Sequence, residues 1–230
     1  MSGERRGGLT SHLWKLRVDP VQTVKTALAA LRGRAFPLWC RVRGVRFQAG
    51  RNFRIYGRLD VDGPGVVTVG DDVMVIEHTR IRTHAREARI SIGDRTLLGQ
   101  TRFGGVREIV VGADCQLGEA YIMDTDFHST RADRRTSAQA PVRVAPVHIG
   151  DNVWVGHYCG VLAGTRIGAN SVVSFGAVCM REYPDNVILL GNPAKVAAPV
   201  SSAPGEPAAA GPPGPLTAAA AGRAALSLQT

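Results

Sequence analysis

No stretch of this 230-residue chain approaches the run of about 20 apolar residues that crosses a bilayer as a helix. The opening residues, MSGERRGGLTSHLWKLRVDP, hold neither an apolar segment nor a small-residue cleavage site. The expectation is therefore no secretory signal and a cytoplasmic location. The four cysteines, Cys40, Cys115, Cys159 and Cys179, show no CxxC pair and no zinc-ligand spacing. In that compartment a disulfide framework is not expected either. No DNA- or RNA-binding motif is present, so nucleic acid is not an expected partner.

Acidic residues are scarce at one end. Residues 1–58 hold 13 Lys and Arg against 2 Asp and Glu; residues 59–230 hold 15 against 17. The formal charge of +9 is thus a property of the N-terminal segment. One reading is a solvated basic arm. The sharper reading is attraction to an anionic membrane surface or to a phosphate-bearing substrate.

Residues 1–44 read as this basic arm followed by a short amphipathic helix. Asp19-Pro20 has the form of an N-cap with proline at the first helical position. Val21, Val24, Leu28 and Leu31 follow at helical spacing, and Gly33 is the expected stop. Packing on the main domain or on a neighbouring subunit is one role for such a helix. Peripheral membrane association is the other, because Lys15, Arg17, Lys25, Arg32 and Arg34 flank it. Residues 201–230 are rich in Ala, Pro, Gly and Ser, a composition expected to be disordered.

Residues 45–200 keep a six-residue beat. Aliphatic residues stand at Val69, Val75 and Ile81, at Ile92 and Leu98, at Val111, Leu117 and Met123, and at Ile149, Val155, Val161, Ile167 and Val173. Gly follows many of them, as at Gly70, Gly93, Gly112, Gly150 and Gly168. Four positions after the aliphatic comes a small or β-branched residue, such as Thr79, Thr96, Cys115, Val153, Cys159, Thr165 or Ser171. A step of six fits neither a helix nor simple strand alternation. It fits short strands joined by turns around a polygon, stacked into an all-β parallel β-helix at about 4.8 Å per coil. Cys115 and Cys159 then occupy the small inward slot and Cys179 the aliphatic one, as core fillers.

The beat fails in two places. Arg102 falls on an inward slot, so TRFGGVRE must slip or bulge. Tyr121 and Phe127 fall on small slots just before the beat stops at residue 129, and twenty polar and basic residues (129–148) pass before Ile149 resumes it. That insertion should project from the solenoid, and long loops in repeat proteins are commonly functional.

The repeat, the stretch VHIGDNVWVGHYCGVLAGTRIGANSVVSFGAVCMREYPDNVILLGNPAKV and the DTDFH ahead of the loop resemble the hexapeptide-repeat acyltransferases. The maltose and galactoside O-acetyltransferases, with related polysaccharide and sugar O-acetyltransferases, are the branch it looks most like. The resemblance implies a left-handed β-helix, a homotrimer, and acetyl-CoA as acyl donor in the groove between neighbouring solenoids, with no metal. It implies a sugar or polysaccharide-type acceptor, and it puts the catalytic histidine at His128. The matching segment usually reads small residue-His-Pro, where this chain has Phe127-His128-Ser129.

The chemistry fits those residue types. An acceptor hydroxyl attacking a thioester must lose its proton, and a positioned histidine is a suitable base. A carboxylate on the other ring nitrogen would fix the tautomer. Asp126 is favoured for this and Asp124 is the alternative; both are also ordinary turn residues. By resemblance, Trp154 lines the groove, and Gly164, Ser174 and Lys195 are candidates to contact the cofactor. Gln100 and Thr101 lie near the position of a substrate-binding Asn. Two other readings compete: a non-catalytic β-helical scaffold, which would not need the insertion, and a zinc carbonic anhydrase-like protein. The latter needs an HxxxxH pair, and His78, His84, His128, His148 and His157 contain none.

Overall fold

The structure, a computed structural model, describes residues 20–137 and 140–201. The N-terminal arm and the C-terminal tail therefore lie outside the described residues. One helix, α1 (Pro20–Val42), precedes a parallel β-solenoid of about seven turns. Among the described residues no helix is long and apolar enough to cross a membrane.

α1 runs nine residues past the expected stop. Gly33 does not end the helix; it brings the helix against the solenoid. A Cβ at Gly33 would lie 1.9 Å from the Phe53 carbonyl oxygen, so only glycine permits this approach. Ala29, Gly33 and Cys40 form the buried side of α1. Phe36 meets Phe47 edge-to-face at 5.1 Å, and Phe47 packs on Phe53. The helix thereby covers the apolar interior of the first turn, which has no preceding turn to stack on.

The strands cycle through three sheets of seven, eight and six strands. All pairings are parallel except the last, where Lys195–Pro199 runs antiparallel to Val187–Leu190. On the second sheet Ile55, Val75, Leu98, Leu117, Val155, Val173 and Leu189 stack one above another. All seven are buried. Each such side chain contributes about 1.5–3 kcal/mol relative to exposure, and only stacked turns supply the partners. Buried hydroxyls at the corners are satisfied by the backbone of the next turn. Thr96 donates to the Gly112 carbonyl, Thr79 to Gly99 and Thr165 to Cys179.

The expected slip is present, and it extends further than the repeat suggested. Thr101 turns inward in place of Arg102, and Phe103 fills the aliphatic slot. The next turn follows the same shifted register, with Ala120 and Ile122 fully buried. Tyr121 and Met123 therefore face outward, not inward, because strand pairing to Arg102–Gly105 dictates their side.

The corner between the first and second sheets has a feature the period did not reveal. Asn52, Asp72, Arg95, Asp114, Asn152, Asn170 and Asn186 all adopt positive φ there, between 54° and 61°. Asn and Asp tolerate this left-handed conformation better than most residues. Their side chains also form a ladder: the Asn152 amide donates to Asn170 at 3.0 Å, and Asn170 donates to Asn186 at 3.1 Å. The neighbouring aspartates accept N–H groups from the turn before, Asp151 from Ala113 and Asp185 from Ala169, each at 2.8 Å. The Gly-Asp-Asn signature is thus a corner device.

Candidate functional site

The segment 123–130 lies at the corner between the third and first sheets, where the strand Ala120–Met123 ends. Its two aspartates have different roles. Asp124 is fully buried. Its Oδ1 accepts the Val106 N–H at 2.8 Å, and its Oδ2 accepts those of Arg107 and Glu108 at 2.7 Å. It ties down the same corner of the preceding turn. With both oxygens accepting backbone N–H groups it anchors this corner, whatever else it does. Asp126 and His128 are exposed, and the His128 N–H donates to the Asp126 carbonyl at 2.6 Å. Among the described residues no hydrogen bond joins the His128 ring to either aspartate.

The root of the insertion is zipped. Thr125 bridges Val144 antiparallel, Asp126 N–H donates to the Arg143 carbonyl, and Ala145 N–H donates to the Asp124 carbonyl. Gly164 sits beneath this root with φ +81°, where a Cβ would lie 3.0 Å from the Arg143 guanidinium. His128 is therefore held at the base of a fastened loop, not at its tip.

Phe127, unexpected beside the histidine, has a structural reason. Its φ is +57°, and its N–H donates to Thr125 Oγ1. The turn lays the ring against Gly104, where any Cβ would come within 2.7 Å of the ring, and edge-on to His84 at 4.8 Å. Gly104 in the irregular TRFGGVRE stretch is the complement of Phe127.

Outward from there, the third sheet carries a groove of about 600 Å³. Arg80, Arg82, Arg102, Tyr121 and Phe127 line it, with Asp60 and Asp62 on the adjoining strand beside Arg80 and Arg82. Arg82 pairs with Asp62 at 2.9 Å. Asp60 sits below the usual carboxylate range: burial pushes it up, but hydrogen bonds from His78 and Arg58 outweigh that. Arg102 stacks on the Tyr121 ring at 5.0 Å and has no carboxylate partner among the described residues.

The remaining candidate residues lie elsewhere. Trp154 is 55% exposed on the outer face of the second sheet, between Gln116 and Val172. Lys195 is exposed on the antiparallel strand at the end of that sheet. Ser174 is half-buried at the corner between the second and third sheets, its N–H donating to the Leu189 carbonyl. Gln100 is exposed at that same corner. Thr101 is fully buried and its hydroxyl donates to the Gly118 carbonyl at 2.9 Å. It faces the solenoid interior, so the expectation that it contacts substrate is corrected. Tyr158 and Phe175, which sequence reasoning did not single out, are exposed at 63% and 71% and stacked edge-to-face at 5.2 Å on the corner beside Ser174. Two bulky rings at turn positions were the available signal.

One chain thus brings His128, Asp126 and Gly164 together at one corner. It places Trp154 and Lys195 on the opposite sheet. Among the described residues, His78 bonds Asp60 at 2.8 Å, His148 bonds Glu108 at 3.1 Å and the His84 ring meets Phe127. Cys115 and Cys159 are pushed above the ordinary thiol range by burial, and Cys179 to about 12 by burial and by neighbouring Cys159. Protonated, enclosed thiols are core residues.

Residues 146–181 match the family model described as bacterial transferase hexapeptide (six repeats). Over 197 residues the chain is 29% identical to a probable acetyltransferase of Mycobacterium tuberculosis, covering 77% of this chain and 65% of that protein. It is 38% identical over 90 residues to a galactoside O-acetyltransferase of Lactococcus lactis, covering 39% of this chain and 42% of the relative. In both cases less than two thirds of the relative is spanned. Among solved structures, an N-acyltransferase from Bacillus cereus, AntD, in complex with dTDP and 3-hydroxybutyryl-CoA superposes with a TM-score of 0.58. It covers 70% of this chain and 87% of AntD at 16% identity, a likeness of fold.

Proposed function

We propose, from the hexapeptide-repeat match over residues 146–181 and the similarity to proteins named as acetyltransferases, that the chain is an acetyl-CoA-dependent O-acetyltransferase acting on a sugar, polysaccharide unit or glycosylated metabolite. The observation that carries the reading is the position of His128, exposed at the root of a zipped insertion that interrupts an otherwise continuous solenoid. In this reading His128 takes the proton of the acceptor hydroxyl as its oxygen attacks the thioester carbonyl. The tetrahedral intermediate then expels the thiolate of coenzyme A, and the imidazolium proton goes to that thiolate. Asp126 is the carboxylate free to orient the ring, because Asp124 is committed to the backbone. The groove beside Phe127 offers the acceptor an aromatic wall and arginines.

The donor side of the reading needs a second copy of the chain. A neighbour that presents its second sheet and adjoining corner to this His128 would bring Trp154, Ser174 and Lys195 to the acyl donor, with Tyr158 and Phe175 extending the apolar wall. A trimer with three such grooves follows, and a cytoplasmic location would supply the acetyl-CoA. The test is thiol release from acetyl-CoA across a panel of sugars and nucleotide-sugars, with light scattering on the same samples. Acceptor-dependent release by the wild type, lost in His128→Ala, together with a trimer mass, supports the reading. Full activity in His128→Ala removes the base assignment, and an active monomer removes the shared groove.

A further inference from the structure

One large apolar surface has no part in the site or the solenoid. Val21, Val24, Leu28, Leu31, Ala35, Leu38 and Val42 recur every three and four residues along α1. Their large side chains are between 49% and 80% exposed. At about 100° per residue they form one stripe, roughly opposite the Ala29–Gly33–Cys40 side that packs on the first turn. The stripe therefore faces away from the solenoid, at its N-terminal end. A single exposed leucine needs no explanation; a continuous stripe along six turns of helix does.

The charges around the stripe say what covers it. Lys25 and Arg32 fall along one edge, and Arg34 and Arg41 along the other. All four are exposed, and the helix holds no acidic residue. Trp39, at the margin of the stripe, is 49% exposed with Arg43 stacked on it at 4.4 Å. Packing this stripe against the same stripe of another copy would line cation against cation, with none of the acidic partners that helix pairs use at such flanking positions. An anionic lipid surface reverses the sign of that interaction. On such a surface arginine stems would reach back to the headgroups, and tryptophan favours the interface.

We propose that α1 is an in-plane docking helix that seats the N-terminal end of the solenoid on an anionic lipid surface. Its apolar stripe enters the headgroup–acyl boundary and its two cationic edges contact the phosphates. The solenoid then projects away from the membrane. This inference is independent of the proposed chemistry and is tested without it.

The full chain is sedimented with phosphatidylcholine vesicles and with vesicles containing roughly one third phosphatidylglycerol at physiological salt. Binding to the anionic vesicles alone is expected. Leu31→Glu with Leu38→Glu should reduce it more than about tenfold. Arg34→Gln with Arg41→Gln keeps the stripe and should weaken binding about fivefold per arginine. Circular dichroism establishes that each variant retains its fold, and the arginine pair, remote from the core, tests the idea should the leucine pair not fold. Equal binding to neutral vesicles, or no binding to either, overturns the proposal. So does a smaller assembly for the leucine variant in light scattering, which would assign the stripe to a second copy.

Discussion

The late turns and the early turns of this solenoid are built to different rules. On the second sheet the ladder advances 18 residues from Val155 to Val173 and 16 from Val173 to Leu189. Earlier it advances 20 from Ile55 to Val75, 23 from Val75 to Leu98 and 19 from Leu98 to Leu117. From Leu117 to Val155 it advances 38. Three hexapeptides make 18, so the late turns are close to the bare repeat. The surplus in the early turns collects at the corner between the third and first sheets, at Gly63–Gly65, at His84–Ala88 and at the insertion behind His128. The regular part carries the fold, and the departures carry what is individual to the chain.

The strongest way to separate the two is His128→Ala. The residue is exposed and its ring holds nothing together, so the melting temperature should not change. Loss of a general base should lower kcat by about 10²–10⁴. A comparable fall in melting temperature would show that the corner is structural and erase the contrast. Asp124→Ala is the converse. It leaves three part-buried N–H groups without their acceptor; at the low end of the penalty of about 1–3 kcal/mol for each fully buried group, urea unfolding should register a loss of roughly 3–5 kcal/mol. Activity should then fall only as the folded fraction falls, and a folded but inactive Asp124→Ala would return that carboxylate to the chemistry.

The contrast also explains what the sequence disclosed. The inward rows of the late turns were legible because one residue type recurs in one slot, and Val155, Cys159, Val161, Ile167 and Val173 are all buried there. The early register was half legible: Arg102 betrayed the slip, but Met123 is apolar on either side and concealed its continuation. Gly33 reads as a helix stop in sequence, because nothing local signals that the Phe53 carbonyl will come so close. That residue 128 stands at the root of the projecting insertion was legible from where the beat stops. The division of labour between Asp124 and Asp126 was not, since it depends on three N–H groups 16 to 18 residues away. The groove partners Gly104 and Phe127 were hidden for the same reason.

A smaller effect should come from the packed end of the late turns. Cys179 is pushed up to about 12, chiefly by burial and then by Cys159. A group raised in the folded state contributes stability that is present below its unfolded value and lost as pH climbs toward the folded one. The window therefore opens near the ordinary thiol value of 9.0 and closes near 12. Cys179→Ala should flatten the decline in unfolding free energy by about 1.4 kcal/mol at one pH unit above the start of that window. An identical alkaline profile in the variant would mean that the thiol is not enclosed.

The smallest effect probes the one corner residue that breaks the ladder. Arg95 adopts φ +57° where Asn or Asp stands at every other turn. Its compensation is an ion pair to Asp114 at 2.6 Å, between side chains about half-exposed. An exposed pair adds little, whereas a long side chain in the left-handed region is strained. Arg95→Asn should therefore raise the melting temperature slightly, by about 1–3 °C at neutral pH. The gain should grow in acid. The hydrogen bond from Arg95 holds the Asp114 carboxyl below its ordinary value of 3.8. Its contribution is present above that range and disappears as pH falls through the depressed folded value. As pH falls below that ordinary value the wild type loses the pair that offsets its strain, and the variant has none to lose. A variant that is less stable at neutral pH, or whose advantage shrinks in acid, would show that this irregular early turn is held by its ion pair rather than by the backbone rule its neighbours obey.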